Sequence, residues 1–265
     1  MVKQISIGKV IELFENWVPK KLASEWDNVG LQVGSLSIRV TNVLVTLDVT
    51  EDVIKEALEV GANLIISHHP LIFKPLKQID YRDPKGKIIH QLIKHDLTVY
   101  SAHTNLDVVS GGVNDLLADK LQLEQKKILV AEEVDSQYGL GRVGTLKEAM
   151  SLKQLAVKLK EIFQVEGLRV TGPLDEQVKK IAILGGSGEK YYPYAKRLGA
   201  DVYITGDVSF HFAQDAEAAG LSIIDPGHHV ERIMIGAVAD YLRGQVDRTI
   251  NVVESKISTE PFQFL

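Results

Sequence analysis

Residues 63–70 read Asn-Leu-Ile-Ile-Ser-His-His-Pro, a short apolar run that empties into two histidines and a proline. A run of this length bounded by turn residues reads as a strand buried on both faces. The proline fixes the exit backbone, so His68 and His69 leave the strand end in different directions. The same arrangement recurs at 97–103 (LTVYSAH) and at 221–229 (LSIIDPGHH), so five of the eight histidines follow three such runs.

Working outward, Ser6 can cap a helix whose apolar face is Ile7, Val10, Ile11, Phe14 and Trp17, ending before Pro19. Residues 42–47 are a β-branched strand, and Thr50 caps an acidic-started helix that stops at Gly61. Asp83-Pro84 opens another helix, and Gly111-Gly112 a further one reaching about residue 120. Strands alternating with helices of this length predict α/β layering around largely parallel or mixed sheets.

The second half repeats the scheme. Laying 43–70 over 181–208 matches VLVTL with IAILG, Gly61-Ala62 with Gly199-Ala200, and Ile66 with Ile204. The strand-to-glycine distance is 18 residues in both copies. The expected architecture is two similar, interlinked α/β lobes with mixed sheets. The first spans 1–125, with 240–265 packing back onto it, and the second spans 126–239. The division would fall in the charged stretch 122–138. Ligands of α/β sheets bind outside the carboxyl ends of strands, which puts the expected site in the cleft between the lobes.

With 265 residues, 45% apolar and 25% charged, the chain has ample material for a core. The formal charge of −5 argues against a nucleic-acid-binding surface as the main function. There is no cysteine, so disulfides and thiolate metal sites are excluded. The N-terminal MVKQISIGKVIELFENW alternates apolar and charged residues and does not read as a signal peptide. No apolar run approaches membrane-spanning length, so a cytoplasmic protein is expected.

Two of the histidine segments also carry a carboxylate. Asp107 follows His103 by four residues, aligned with it if the segment turns helically. As a carboxylate it is the better ligand of the two, and His103 either binds metal or carries a proton nearby. In DPGHHVER, His228 and Glu231 are i and i+3 and share a helical face, whereas His229 and Glu231 do not. The favoured ligands are therefore His68, His69, Asp107, His228 and Glu231. Three imidazoles and two carboxylates are too many for one tetrahedral zinc with an open position. They suit two divalent ions roughly 3.5–4 Å apart, bridged by a carboxylate and by water whose pKa is lowered. Such a donor set accepts zinc, iron or manganese, and the implied chemistry is metal-assisted hydrolysis.

Together, SEWDNVGLQVG (24–34), ISHHP, SAHTNLD, ITGDVSFH (204–211) and DPGHHVER resemble the NGG-interacting-factor-three-like family, also known as GTP cyclohydrolase 1 type 2 homologues. The resemblance runs from about residue 10 to the C-terminus. It implies two linked α/β lobes, a dinuclear metal centre held by His68, His69, Asp107, His228 and Glu231, and a toroidal homohexamer. The activity it implies, opening of the GTP ring system, needs a general acid, for which His103 and His229 are the candidates. Lys74, Lys77, Arg82, Lys85 and Lys87 are candidates to meet phosphates, as is the Gly185-Gly186-Ser187-Gly188 turn. The expected function is a metal-dependent hydrolase of GTP or another phosphorylated small molecule. The alternatives are a non-enzymatic metal-delivery or protein-interaction ring and a metal-dependent phosphoesterase.

Overall fold

The computed structural model describes residues 5–131 and 137–265. The start of the segment read for a leader and part of the charged stretch 122–138 lie outside the described residues. Along the chain run α1 (Ile7–Glu15), β1 (Gly30–Val33), β2 (Asn42–Thr46), α2 (Glu51–Glu59), β3 (Ala62–Ser67), α3 (Pro84–Lys94), β4 (Thr98–Ser101) and α4 (Thr104–Val108). Then come α5 (Val113–Lys120), β5 (Glu124–Ala131), β6 (Gly139–Ser151), α6 (Leu152–Phe163), β7 (Arg169–Thr171) and β8 (Gln177–Ser187). Next are α7 (Tyr192–Arg197), β9 (Val202–Gly206), α8 (Phe210–Ala218) and β10 (Ser222–Asp225). A 3₁₀ helix (His228–Ile233), α9 (Met234–Gln245) and β11 (Val252–Glu254) close the sequence.

The described residues pack as two compact units, each built on one mixed sheet. The first holds the residues up to Leu106 together with Met234–Thr259, and the second holds Asp107–Ile233 with Glu260–Leu265. In the first, the strand order is β1-β4-β3-β2-β11, with only β1 antiparallel to its neighbour. In the second it is β5-β6-β8-β9-β10-β7, with β8, β9 and β10 parallel. The central strands β2, β3, β4 and β9 are buried almost throughout because crossover helices cover them, which is why their sequences are continuous apolar runs.

The repetition extends beyond residues 43–70 and 181–208. Helix, strand, strand, helix, strand, helix, strand (α1-β1-β2-α2-β3-α3-β4) is repeated as α6-β7-β8-α7-β9-α8-β10. Sheet orders match as well, β1-β4-β3-β2 against β7-β10-β9-β8. The helices that precede matched strands stop alike. Gly61, Asp96, Gly199 and Gly220 all have positive φ, and Leu97, Ala200 and Leu221 close the turn by donating five residues back.

Four strands were not read from the sequence: β1, β5, β6 and β7. Residues 124–131 look like a charged boundary because β5 is an edge strand whose first four residues are all exposed. α5, grouped with the first lobe in the sequence reading, packs on β6 and β8 of the second sheet. One polar pair anchors it there. Arg142 on β6, its side chain 5% exposed, donates to both Asp115 oxygens on α5 (2.5 and 3.0 Å) and to the Gly139 and Gly141 carbonyls.

Burial alone would raise the Asp115 carboxyl, but hydrogen bonds from Arg142 and the Gly111 N–H hold it below its ordinary value. The pair therefore stabilises the fold fully above the ordinary carboxylate range and loses that contribution as pH falls through it. Asp115→Ala would leave the Arg142 charge buried and uncompensated, at a cost of about 3 kcal/mol. Urea titration at neutral pH should show that loss, and the difference from wild type should shrink at pH 3.

Candidate metal centre

At the end of β3, backbone pairing continues past the strand: His68 and His69 donate to the Thr46 and Leu47 carbonyls. The His69 carbonyl accepts from the Ser67 hydroxyl at 3.0 Å, and Ser67 and Ser101 are themselves bonded at 2.8 Å. The strand ends are thus cross-tied before any imidazole is placed. His68 is fully buried and its Nδ1 lies 2.9 Å from the Ala102 carbonyl. A carbonyl can only accept, so Nδ1 carries the proton and Nε2 carries the lone pair.

Three further histidines show the same polarity with a carboxylate as acceptor. His69 Nδ1 is 2.7 Å from Asp48, His103 Nδ1 is 3.0 Å from Asp27, and His228 Nδ1 is 2.6 Å from Asp207. A histidine tethered at one nitrogen by a carboxylate or backbone carbonyl is the arrangement found behind metal ligands. His68, His69 and His103 bring ring nitrogens within 4.8 Å of one another.

Asp27 is the most constrained of the acceptors. Burial would raise its carboxyl, but His103 and Thr104 hydrogen-bond to it and hold it at about 2. One oxygen takes His103, and the other takes the backbone N–H (3.0 Å) and hydroxyl of Thr104 at the start of α4. The resemblance placed Asp27 only in a family loop; its buried carboxylate orients His103.

In the second unit the 3₁₀ helix does what helical spacing predicted. Its i and i+3 side chains eclipse, and His228 Nε2 stands 3.1 Å from Glu231 Oε2 with Glu231 only 4% exposed. Two donors each about 2.1 Å from a common ion stand roughly 3.0–3.4 Å apart at octahedral or tetrahedral angles, so this pair fits one ion. Backbone geometry below it is equally specific. Gly186 has φ +62°, and a Cβ there would lie 2.5 Å from Glu231 Oε1 and 3.2 Å from His228 Nε2. The glycine makes the cradle in which the carboxylate and imidazole sit.

Asp107, buried on α4, is held by its backbone: Asn114 donates to its carbonyl at 3.0 Å and accepts from the Gly185 N–H at 3.0 Å. Asn114 therefore couples Asp107 to the strand that underlies Glu231. His229 is half-buried and lies one position off the His228–Glu231 face.

Two sequence expectations fail. The Gly185–Gly188 turn is no phosphate cradle: Gly185 and Gly188 donate to Asn114 and Thr205, and the first three residues belong to β8. Of the five basic residues after the histidine pair, Arg82 is bound to Asp80, Lys85 to the Leu71 carbonyl and Lys87 to Glu51. Lys74 and Lys77 are the exposed cations of that loop left to meet a ligand. Sequence reasoning also missed Asp48 and Asp207. A signal existed, since Asp-Val-Thr at 48–50 and Asp-Val-Ser at 207–209 each carry the carboxylate just before a helix N-cap.

The chain matches the Duf34/NIF3 (NGG1p interacting factor 3) family model over residues 5–261. It belongs to that family. A Bacillus subtilis relative named GTP cyclohydrolase 1 type 2 homolog is 35% identical over the full length of both chains. A Clostridium perfringens relative of the same name is 40% identical over 98% of this chain and 100% of its own. Among solved structures, a Bacillus cereus protein related to NIF3 superposes with a TM-score of 0.95 at 35% identity, covering 99% of this chain and 100% of that one. The fold class expected from sequence is thus the fold of the family. Among the described residues, no helix is long and apolar enough to cross a membrane.

The Gly186 cradle gives a direct test. Gly186→Ala adds a Cβ into Glu231 at a left-handed backbone position. It should destabilise the protein by about 2–4 kcal/mol in urea unfolding, whereas the control Ser187→Ala, with an exposed side chain, should change stability by less than about 0.5 kcal/mol.

Proposed function

We propose that this protein binds two divalent metal ions through His68, His69, Asp107, His228 and Glu231 and hydrolyses a nucleotide or related phosphorylated small molecule. The observation that carries the reading is that four imidazoles are each tethered at Nδ1 by a carboxylate or backbone carbonyl, the arrangement found behind metal ligands. A buried histidine kept only for packing has no need of a carboxylate behind it. The donor set is imidazole and carboxylate without thiolate, which fits zinc, iron or manganese. When bound, such ions supply Lewis acidity and an activated water.

Around that chemistry the chain's own residues have separable roles. His68 and His69 are delivered rigidly from the end of β3, and Asp48 and the Ala102 carbonyl fix their tautomers. His228 and Glu231 share one face of the 3₁₀ helix, and Asp207 orients the imidazole. His103 is the proton carrier we favour, since Asp27 fixes its ring through Nδ1 while its side chain is still 18% exposed. His229 is the second candidate. GTP is the nucleotide in the name the relatives carry, GTP cyclohydrolase 1 type 2 homolog, and we assign its phosphates to the exposed Lys74 and Lys77. A homohexamer in the cytoplasm is the setting the family resemblance implies.

Metal analysis of the purified chain should give two ions per protein. Asp107→Ala and Glu231→Ala should each lower that number with the circular dichroism spectrum unchanged; an unaltered stoichiometry in either would remove that residue from the ligand set. Asp48→Ala and Asp207→Ala should weaken metal binding by roughly 10- to 100-fold without abolishing it. Loaded protein should turn over GTP, and His103→Gln should lose turnover while keeping both ions. Metal-loaded protein inert toward GTP and a panel of phosphoesters would leave a metal-delivery role in place of the enzyme.

A further inference from the structure

Beside His103 lies a feature that metal binding does not explain. Trp26 is 62% exposed and Phe73 is 46% exposed. Single exposed aromatics need no explanation, but these two are joined to each other and to His103. Ring centroids are 5.9 Å apart for Trp26–Phe73, 6.2 Å for Trp26–His103 and 6.3 Å for Phe73–His103, all edge-to-face. His103 in turn packs edge-on against His68 (5.2 Å) and His69 (5.7 Å).

The two aromatics sit on different loops, and those loops are pinned together. Asn28 Nδ2 donates to the Ile72 carbonyl at 2.5 Å, and the Ile72 N–H donates to Gln32 Oε1 at 3.0 Å. Gln32 Nε2 donates to the Asn28 carbonyl at 2.7 Å. Asp27, next to Trp26, is locked onto α4 and His103. A polar network of this density spends hydrogen bonds on holding an indole and a phenyl ring in water, where burial returns little. Pre-organised aromatic faces of this kind stack planar rings at small entropic cost.

We propose that Trp26 and Phe73 form a stacking shelf that takes the heteroaromatic ring of the substrate, a purine base, and presents it beside His103. This rests on the proposed function and sharpens it: the substrate is recognised by its base as well as by any phosphates. The shelf, its pinning network and the three histidines all lie in the first unit.

The chain has two tryptophans, and Trp17 packs on Phe14 and Tyr241, away from the shelf, so Trp26 emission can be isolated. The full chain is titrated with guanosine, adenosine and GTP, and with ribose 5-phosphate and tripolyphosphate as controls, before and after chelation. Saturable quenching by the purine ligands alone is expected. By calorimetry Trp26→Ala should weaken GTP binding roughly 5- to 150-fold, Phe73→Leu less, and Trp26→Phe least, with tripolyphosphate binding unchanged. GTP binding unaltered in both Trp26→Ala and Phe73→Leu overturns the shelf, as does absence of quenching by any purine. A changed elution volume of Trp26→Ala with GTP binding intact also overturns it, marking the patch as a contact between copies. Metal content is measured on the same samples. Normal metal without purine binding removes the shelf alone; purine binding without metal uptake removes the metal centre and keeps the shelf.

Discussion

A neutral imidazole has one proton to share between two nitrogens, so a fixed acceptor at Nδ1 puts the proton there and the lone pair on Nε2. In this protein that decision is made four times, by the Ala102 carbonyl and by Asp48, Asp27 and Asp207. Without the acceptors each ring could flip or change tautomer and the donor set would lose its direction. Much of the nearby structure serves these four contacts. Asp207 is held at φ +56° at the end of β9, a backbone state uncommon outside glycine but most tolerated by Asp and Asn. Asp48 is steadied by the Thr259 hydroxyl from the C-terminal segment. Asp27 is buried and shared between His103 and the first turn of α4.

The acceptors can be placed so reliably because of the parallel crossover topology. Each βαβ step returns the chain to the same edge of its sheet, so the carboxyl ends of consecutive strands are neighbours. Asp48 after β2, the histidine pair after β3 and His103 after β4 come from three adjacent strands of one sheet. Gly186 at the end of β8, Asp207 after β9 and His228 after β10 do the same in the other. A helix with a left-handed end residue resets the chain before each return strand. Register errors there would move the donors by a whole strand step, and the buried apolar strands oppose such slips.

The strand-to-histidine junctions were legible from residues 63–70, 97–103 and 221–229 because strands covered on both faces are written as plain apolar runs. The caps at Ser6, Thr50 and Asp83 were legible too, since each side chain accepts a backbone N–H at the position its residue type favours. Strands β1, β5, β6 and β7 were not; β1 is a four-residue edge strand with Leu31 exposed. β5 is an edge with exposed charged residues, β7 has only three residues, and β6 carries a run of exposed residues at 147–149 between its two paired stretches. Of the candidate site, the histidines and carboxylates that bear their chemistry in their residue type were visible. The carboxylates that orient them were not, because an aspartate after a strand looks the same whether it caps a turn or holds a ring. The glycine-rich turn at 185–188 misled for a related reason: glycine is there to make room for Glu231, His228 and Thr205, and composition cannot tell that from a loop that binds phosphate.

The two copies of the repeated fold do not carry equal chemistry, and the difference is informative. Position for position, the exit of β3 offers His68 and His69, whereas the exit of β9 offers Asp207. The first copy therefore contributes imidazoles where the second contributes the support for one. The exits of β4 and β10 both deliver a histidine ahead of a helical turn, but only His228 has a buried carboxylate at i+3. His103 has Asp27 behind it and aromatic rings beside it instead. The repeated topology supplies the geometry, strand ends in a row, and the two copies carry different groups there. The result separates His228 and Glu231, 3.1 Å apart on one helical face, from His103, tethered at Nδ1 and still partly open to solvent.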